Sequence, residues 1–315
     1  MRSFAGKVAA ITGAASGMGR SLAVALARRS CEVALSDVDE RGLAETARLV
    51  RAASKVRVTT KLVDVSVESA VRAWAEEVAT EHGRCNLIFN NAGVSYAATV
   101  EGAELSDFER IVDIDFWGVV HGTRAFLPYL RASGDGHVIN TSSLFGLIAF
   151  PGQCTYNAAK FAVRGFTEAL RIELEITGAP VSATCVHPGG IKTNIAQASK
   201  VHPSMAALGV DDLDEAKGRF ERAFRVTADD AAEQILRGVQ KDARRVLIGT
   251  DARVIDLVQR ILPGRYHGLL ARASRRVLAA GRKSGTTSPS TTASSGRAPV
   301  REPGAGASEP AQSTA

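Results

Sequence analysis

The sequence is poor in the residues that build metal centres, disulfide frameworks and membrane spans. Its 315 residues include only four cysteines, which are too widely spaced for a C-x-x-C motif. This pattern predicts free thiols in a reducing compartment and no metal site. No segment approaches the ~20 consecutive apolar residues of a membrane-spanning helix. The apolar run near the N-terminus is short and interrupted by glycines, which disfavours a signal peptide, so we expect a cytoplasmic protein.

An excess of one charge is also missing from most of the chain. The net charge is +6, but six basic and two acidic residues from Ser274 onward supply +4 of it and leave +2 for the rest. That remainder is too small for a continuous basic surface along a phosphate backbone. We therefore expect no nucleic-acid partner.

Up to about residue 250, short apolar segments alternate with longer helix-like segments. The apolar segments predict strands over 8–12, 32–37, 56–65, 86–93, 137–143, 181–189 and 246–249. The segments between them predict helices over 15–30, 40–54, 67–82, 105–131 and 155–177, the fourth ending near Pro128. Strands that are apolar throughout are typical of a parallel sheet buried on both faces. This alternation predicts an α/β fold, a single doubly wound Rossmann-type domain with a mostly parallel seven-stranded sheet flanked by helices.

The chain is expected to divide into three parts. Residues 1–250 form the predicted catalytic domain, which includes a substrate lid over 194–225. Residues 251–283 are predicted to form a basic amphipathic extension of two helices that are separated at Pro263-Gly264. The last 32 residues, 284–315, contain 26 Ser, Gly, Thr, Ala or Pro, a composition typical of disorder.

A glycine-rich turn follows the first predicted strand and leads into a helix. Such a turn lets the backbone approach a pyrophosphate and directs helix N–H groups at it. We predict that Gly13 forms the tight turn, Gly17 permits the close approach and Gly19 permits helix–strand packing. Ser16 and Met18 lie between these glycines and are predicted contacts as well. Taken without their context, the glycines could also form an ordinary strand-to-helix turn.

The second predicted strand ends at Asp37, 18 residues after Gly19. A carboxylate at this place can accept hydrogen bonds from the adenosine ribose hydroxyls and would repel a 2′-phosphate. The next residue, Val38, offers no positive charge. We therefore predict NAD rather than NADP as the cofactor, with a turn or helix-cap role for Asp37 as the alternative.

Tyr156 and Lys160 are four residues apart in a helix-like segment and therefore share one helix face. A lysine ammonium favours the phenolate, and this lowers the tyrosine pKa from ~10 toward a value that suits a general base. A surface Tyr–Lys pair is the alternative interpretation. Ser143 ends the fifth predicted strand, and its hydroxyl is a candidate donor to a substrate oxygen.

These motifs together resemble the oxidoreductase branch of the short-chain dehydrogenase/reductase family. The matching motifs are T-G-x-x-x-G-x-G at 12–19, N-N-A-G at 90–93, Ser143, Y-x-x-x-K at 156–160 and P-G-x-x-x-T at 188–193. The resemblance covers about residues 7–249. It implies hydride transfer between a nicotinamide cofactor and an alcohol or ketone. Tyr156 would be the general acid/base, Ser143 would hold the substrate oxygen, and Lys160 would also hold the nicotinamide ribose.

The resemblance also implies further cofactor contacts and shows one departure. The implied contacts are Asp64, Val65, Asn90, Ala92, Gly93, Tyr156, Lys160, Pro188, Gly189, Ile191 and Thr193. Asp115 stands where many family members have an asparagine that completes a proton relay to the lysine. Its carboxylate could still hold a relay water, but if ionised it would partly cancel the charge of Lys160. We count Asp115 among the catalytic residues and expect activity with a pH optimum for oxidation shifted upward.

Apolar residues in the predicted lid and in the loop after Ser143 favour a hydrophobic secondary alcohol or ketone as substrate. The resemblance suggests a homodimer or homotetramer that forms through the helices predicted over 105–131 and 155–177. Two other function classes stay open. Asp115 would suit a catalytically weak NAD(H)-binding scaffold or sensor, and residues 251–280 would suit a lipid-modifying reductase in peripheral contact with a membrane.

Overall fold

The computed structural model describes Met1 and residues 3–193, 199–210, 218 and 224–284. For residues 276–284 it describes only the course of the helix. The lid predicted over 194–225 therefore lies partly outside the described residues. The disordered tail predicted over 284–315 lies outside them except for its first residue.

Seven strands form one parallel sheet, which confirms the predicted fold class. The strands of this sheet, numbered in chain order, are β1 (Val8–Thr12), β2 (Glu32–Asp37), β3 (Val58–Leu62), β4 (Leu87–Asn90), β5 (Gly136–Thr141), β6 (Val181–Pro188) and β7 (Arg245–Ile248). Their order across the sheet is β7-β6-β5-β4-β1-β2-β3. The strands up to β3 lie on one side of β1 and those from β4 onward on the other, the doubly wound Rossmann-type arrangement.

Nine α-helices within the described residues cover this sheet or extend from it. They are α1 (Gly17–Ala27), α2 (Glu40–Ala53), α3 (Glu68–His82), α4 (Leu105–Val112), α5 (Gly118–Ala132), α6 (Cys154–Ile176), α7 (Ala228–Gln240), α8 (Thr250–Ile261) and α9 (Tyr266–Ser284). The predicted break at Pro263-Gly264 separates α8 from α9. No described helix is long and apolar enough to cross a bilayer.

The apolar strand segments are explained by burial on both faces of the sheet. On β1, Ala9 and Ile11 belong to the core on one face, whereas Val8 and Ala10 belong to the core on the other. Helices α1 and α7 complete the first core, and α3, α5 and α6 complete the second. Because successive side chains of a strand alternate between faces, a strand buried on both needs an uninterrupted apolar run.

Several predicted boundaries were wrong, and two of them have a clear physical reason. The edge strand β3 covers only Val58–Leu62, because its side chains are partly exposed and it pairs on one side alone. The helix predicted over 105–131 is interrupted by a π-helical segment, Asp113–Trp117, and α5 then continues through Pro128 to Ala132. Phe126 and Leu130 flank that proline and are fully buried, so packing maintains the helix across the missing backbone hydrogen bond.

The carboxyl ends of the parallel strands meet at one edge of the sheet, the usual place of ligand binding in this fold. Two short pairs of parallel strands lie beyond that edge. They are Tyr96–Ala97 with Lys200–Val201, and Ile191–Lys192 with Val226–Thr227. These pairs fix the segments that follow β4 and β6 above the sheet.

Candidate active site

A cavity of about 570 Å³ opens at the carboxyl edge of the sheet. Ten predicted cofactor positions line it: Gly13, Ser16, Gly17, Met18, Asp37, Asp64, Val65, Ala92, Gly93 and Thr193. The volume lies in the range of ~300–1,000 Å³ that is usual for small-molecule sites. Residues that are far apart in the sequence therefore meet around one concave site.

The glycine-rich turn has the backbone geometry that its sequence predicts. Gly13 and Gly17 adopt positive φ angles of 65° and 51°, which L-residues rarely adopt. A Cβ on Gly13 would lie 2.7 Å from the Ala92 Cα, and a Cβ on Gly19 would overlap the Gly13 carbonyl oxygen. Helix α1 begins at Gly17, so its N–H groups and positive dipole end border the cavity.

Asp37 is held at the edge of the cavity by backbone groups. Its Oδ2 accepts from the Ala15 N–H at 2.9 Å, and its Oδ1 accepts from the N–H groups of Val38 at 2.8 Å and Asp39 at 3.1 Å. The helix-cap role belongs to Asp39, whose carboxylate accepts from the Gly42 N–H at 3.0 Å. Among the described residues, no side-chain cation pairs with the Asp37 carboxylate, which backbone N–H groups position instead.

The two adjacent asparagines after β4 have different positions. Asn90 does not line the cavity, because its amide is buried and donates to Thr123 Oγ1 at 3.1 Å and Asn140 Oδ1 at 2.8 Å. Asn91 does line it, and its amide donates to the carbonyls of Thr12 and Gly13, both at 3.2 Å. Asn90 therefore ties strands together, and Asn91 supports the glycine turn.

The segment after β6 contributes only its last predicted position to the cavity lining. Thr193 lines the cavity, and a Cβ on Gly17 would lie 3.2 Å from the Thr193 Cβ. Pro188, Gly189 and Ile191 lie outside the lining. The adjacent Gly190 N–H donates to the Asp251 carboxylate at 2.7 Å, so the start of α8 fixes this segment.

Lys160 lies in a buried cluster with the other predicted catalytic residues. Its Nζ lies 3.1 Å from Asp115 Oδ2, donates to the Thr141 carbonyl at 3.2 Å and lies 5.5 Å from the centre of the Tyr156 ring. Tyr156 and Lys160 are one turn apart on α6, as predicted. Asp115 therefore pairs with the lysine directly and not through a relay water.

Two local features make this direct pairing possible. Asp115 lies in the π-helical segment, whose wider turn changes the direction of the side chains around it. Its Oδ1 accepts from the Val94 N–H at 2.8 Å, which fixes the carboxylate. A Cβ on Gly93 would lie only 3.3 Å from Lys160 Nζ and 3.4 Å from Asp115 Oδ1, so glycine leaves room for the pair.

The pKa values of the cluster depart from the sequence prediction. Burial raises the pKa of Tyr156 above its ordinary value, although Lys160 and the Ser143 hydroxyl both lower it and Asp115 raises it further. Lys160 thus acts on the tyrosine pKa in the predicted direction, but burial outweighs it, so the expected net lowering of this pKa is not found. Burial also raises the pKa of Asp115 in spite of Lys160. Burial alone would lower the pKa of Lys160, but Asp115 and Tyr156 raise it.

Ser143 lies at the end of β5, next to the hydroxyl of Tyr156. Its Oγ accepts from the Phe145 N–H at 3.1 Å, while the neighbouring Ser142 Oγ donates to the Lys160 carbonyl at 2.8 Å. His187 is buried with its Nδ1 3.1 Å from the Ser143 carbonyl oxygen. Burial lowers the pKa of His187 to about 4, so this histidine is neutral at physiological pH and supports the Ser143 backbone.

Comparison with known proteins decides the family. The family model of short chain dehydrogenases matches residues 7–203. The chain belongs to the short-chain dehydrogenase family. This short-chain dehydrogenase is similar to a Mycobacterium tuberculosis (strain ATCC 25618 / H37Rv) protein named as an oxidoreductase, SadH. The two are 49% identical over 271 residues, which cover 86% of this chain and 96% of that protein.

Two solved structures show how the fold is shared. A short-chain dehydrogenase/reductase from Burkholderia phymatum, in complex with NAD, is similar with a TM-score of 0.76 and 30% identity over 86% of this chain and 97% of that one. An alcohol dehydrogenase from the archaeon Thermococcus sibiricus, complexed with 5-hydroxy-NADP, is similar with a TM-score of 0.64 and 25% identity over 76% and 93%. As a member of this family, the protein is an oxidoreductase that uses a nicotinamide cofactor on a small-molecule substrate.

The short-chain dehydrogenase has a cavity that fits such a cofactor. The positive-φ glycines and the start of α1 form an anion-binding turn, and the Asp37 carboxylate lies further along the same cavity. Sequence reasoning missed Asn91, Arg110 and Lys200, which also line it. Asn91 belongs to the N-N-A-G motif and could have been included, whereas no sequence pattern connects Arg110 or Lys200 with the site.

Proposed function

We propose that this short-chain dehydrogenase transfers hydride between NAD and a hydrophobic secondary alcohol or ketone. The observation that carries the proposal is the buried cluster of Ser143, Tyr156 and Lys160 beside a glycine-lined cavity. When bound, the nicotinamide supplies the hydride acceptor or donor. The residues of the chain supply substrate binding, orientation and proton transfer.

In the proposed mechanism, the substrate hydroxyl lies between the Ser143 and Tyr156 side chains. The Tyr156 oxygen removes the hydroxyl proton while the adjacent carbon loses its hydride, and the carbonyl double bond forms between that carbon and oxygen. The Ser143 hydroxyl donates to the substrate oxygen and stabilises its developing charge. The Lys160 ammonium stabilises the Tyr156 phenolate.

The raised pKa of Tyr156 favours the protonated phenol at neutral pH. Tyr156 is then a ready proton donor for reduction of a ketone, whereas oxidation of an alcohol needs a higher pH. When Asp115 is ionised, its charge strengthens this bias because it raises the pKa of Tyr156. We therefore keep the prediction of an alkaline optimum for oxidation.

The preference for NAD rests on Asp37. Its carboxylate accepts hydrogen bonds from three backbone N–H groups and still borders the cavity. The next residue, Val38, is exposed and uncharged. A ribose diol can donate to such a carboxylate, whereas a 2′-phosphate would be repelled by it. The complexes of the two similar structures indicate that the family uses both cofactors. The proposed preference for NAD therefore rests on the charge of Asp37 and not on family membership.

An apolar wall next to Tyr156 supports a hydrophobic substrate. Phe145 stacks on Phe150 with ring centres 5.4 Å apart and meets the Tyr156 ring edge-on at 6.2 Å. Leu147 and Ile148 of the same loop are buried. An intact Ser143–Tyr156–Lys160 cluster favours an enzyme over the alternative of a silent NAD(H)-binding scaffold or sensor.

The organisation of the chain completes the proposal. We propose residues 1–250 as the catalytic domain with its lid over 194–225, residues 251–283 as the helical extension and 284–315 as a disordered tail. Trp117 and Phe161 are large, apolar and exposed on the helices that we expect to form a homodimer or homotetramer.

The test is a screen of hydrophobic secondary alcohols with NAD⁺ at alkaline pH and of the matching ketones with NADH at neutral pH. We expect turnover by the wild type and a loss of about 10²–10⁴-fold in Tyr156→Phe, because the proton carrier is removed. NADH binding should be retained in this variant, which serves as its folding control. Equal rates for wild type and Tyr156→Phe would refute the proposed mechanism.

A further inference from the structure

Helix α8 has one face that packs on the domain. Ala252 and Asp256 on this face are buried. The Asp256 carboxylate pairs with Arg245 of β7 at 2.5 Å and with Arg260 at 2.9 Å. These contacts fix the rotation of α8 about its own axis and so determine which side chains face away from the domain.

The opposite face of α8 is apolar and exposed. It carries Val254, Leu257, Val258 and Ile261, which are 58%, 57%, 37% and 66% exposed. Their spacing of three and four residues places them on one stripe of the helix. Single exposed apolar side chains are common, but a continuous stripe opposite the buried face indicates an interaction surface.

The two helices of this segment also carry exposed positive charge. Arg253 on α8, Arg265 between the helices, and Arg272 and Arg275 on α9 are exposed. Leu269 on α9 is also exposed and adds to the apolar area.

The acidic residues of this segment are fewer than its arginines. Residues 250–275 contain only two, Asp251 and Asp256. Asp251 accepts from the Gly190 N–H at 2.7 Å, and Asp256 is held by Arg245 and Arg260. The outward surface of α8 and α9 therefore combines exposed aliphatic side chains with exposed arginines.

We propose that this surface docks the enzyme on an anionic lipid bilayer. We call it the docking face and define it by its members: Val254, Leu257, Val258, Ile261, Leu269, Arg253, Arg265, Arg272 and Arg275. A helix that lies in the bilayer interface buries an apolar stripe among the acyl chains and places basic residues at anionic headgroups. The docking face offers both features, and none of the described helices spans a bilayer.

Two other occupants fit this face less well. A second copy would bring the same arginines together across a two-fold axis, because such an interface pairs identical surfaces. The chain after Ser284 offers a single large aliphatic residue, Val300, and no aromatic residue to cover the stripe. An anionic lipid surface complements both the apolar and the charged part.

The helices that carry the docking face contact two segments of the proposed active site. Tyr266, at the start of α9, is buried, and its hydroxyl accepts from the Ala149 N–H at 3.2 Å in the loop that follows Ser143. Asp251, at the start of α8, holds the Gly190 segment. Docking would therefore bring the mouth of the site close to apolar molecules dissolved in the bilayer, a consequence that also rests on the proposed function.

The first test is flotation of the full chain with vesicles of phosphatidylcholine alone or mixed with phosphatidylglycerol. We expect binding to the mixed vesicles at low salt, weaker binding at high salt and little binding to phosphatidylcholine alone. The assay needs no substrate and no cofactor. Failure to bind mixed vesicles at low salt would overturn the inference, and NADH binding in the same preparation would show that the proposed function survives this failure.

Paired variants separate the apolar and the basic contributions. Leu257→Gln/Ile261→Gln should weaken vesicle binding by about tenfold or more, because exposed apolar side chains that enter the interface are lost. Ile172→Gln/Ile176→Gln on α6 is the matched control, with the same spacing and exposures of 57% and 80%. It should bind vesicles like the wild type.

Arg272→Gln/Arg275→Gln should also weaken binding by about tenfold or more at low salt. The control for lost charge is Arg41→Gln/Arg51→Gln on α2, where both arginines are exposed. Equal vesicle binding by the docking-face variants and their controls would overturn the inference. A change of oligomeric state in Leu257→Gln/Ile261→Gln, measured by sedimentation together with unchanged vesicle binding, would assign the face to a second copy instead.

Discussion

Two aspartates of the candidate active site show how surroundings decide what a carboxylate does. Asp37, near the glycine turn, is half-buried and is held by three backbone N–H groups. Asp115, in the proposed catalytic cluster, is fully buried and lies 3.1 Å from the ammonium of Lys160. The first has no cation as partner in the part of the chain that the structure describes and can present its charge to a ligand, whereas the second is paired with Lys160.

The difference separates two tasks within one site. A charge held by neutral backbone dipoles stays available for the choice between a ribose and a 2′-phosphate. A charge paired inside the protein instead acts on the proton affinities of its neighbours, and here Asp115 raises the pKa of both Lys160 and Tyr156. Substitutions at the two positions should therefore have different consequences, and the predictions below compare them.

The largest expected difference is in stability. Asp115→Leu leaves Lys160 buried without a counter-charge, which should lower the free energy of unfolding by ~3–5 kcal/mol. Asp37→Leu removes an acceptor from N–H groups that water can reach, and should cost about 1 kcal/mol. Urea denaturation monitored by circular dichroism measures both. Similar losses at the two positions would mean that the Asp115–Lys160 pair is not a buried ion pair in solution.

Cofactor affinity should show the reverse order. Asp37→Ala should weaken NADH binding by about 10–100-fold, because a charge-assisted hydrogen bond to the ribose is lost, and should improve NADPH binding. Asp115→Asn preserves the size of the side chain, and this position lies outside the proposed ribose contact. The substitution should therefore change NADH affinity by less than about twofold. Fluorescence titration measures both affinities. An Asp37→Ala variant with wild-type affinity for NADH would remove Asp37 from the site.

The pH dependence of oxidation should respond to Asp115 alone. Asp115 raises the pKa of Tyr156, so Asp115→Asn should lower that pKa and move the acid limb of the kcat profile to lower pH by about one unit or less. Asp37 makes its hydrogen bonds to Ala15, Val38 and Asp39 and not to the cluster around Tyr156, so Asp37→Asn should leave the profile in place. Initial rates of alcohol oxidation across pH test this, and an unchanged profile in Asp115→Asn would contradict the proposed influence of this carboxylate.

The smallest expected effect concerns the glycine turn next to Asp37. Gly17 has a φ of 51°, and an added Cβ would lie 3.2 Å from Thr193, so Gly17→Ala should cost about 1 kcal/mol of stability and weaken NADH binding. Gly134 has a φ of 70° with no atom within 4 Å of an added Cβ. Gly134→Ala should therefore show the backbone strain without the loss of NADH affinity. Equal NADH affinities in the two variants would argue against a close approach at Gly17.

The two regions also differ in how well the sequence predicts them. Asp37 lies where a strand ends at a fixed distance from a glycine turn, and such local patterns are visible without coordinates. The Asp115–Lys160 contact depends on a π-helical segment and on Gly93, which bring three chain segments within 3.5 Å. The raised pKa of Tyr156 depends on burial, which spacing alone does not reveal. The Asp251–Gly190 contact joins distant residues and has no motif at all.

The most direct test is to titrate the purified wild-type protein with NADH and with NADPH and to monitor binding by nicotinamide fluorescence. We expect NADH to bind at least about tenfold more tightly than NADPH, because Asp37 repels a 2′-phosphate. Tighter binding of NADPH would contradict the role of Asp37 while leaving the enzyme class in place. Binding of neither cofactor would contradict the account as a whole.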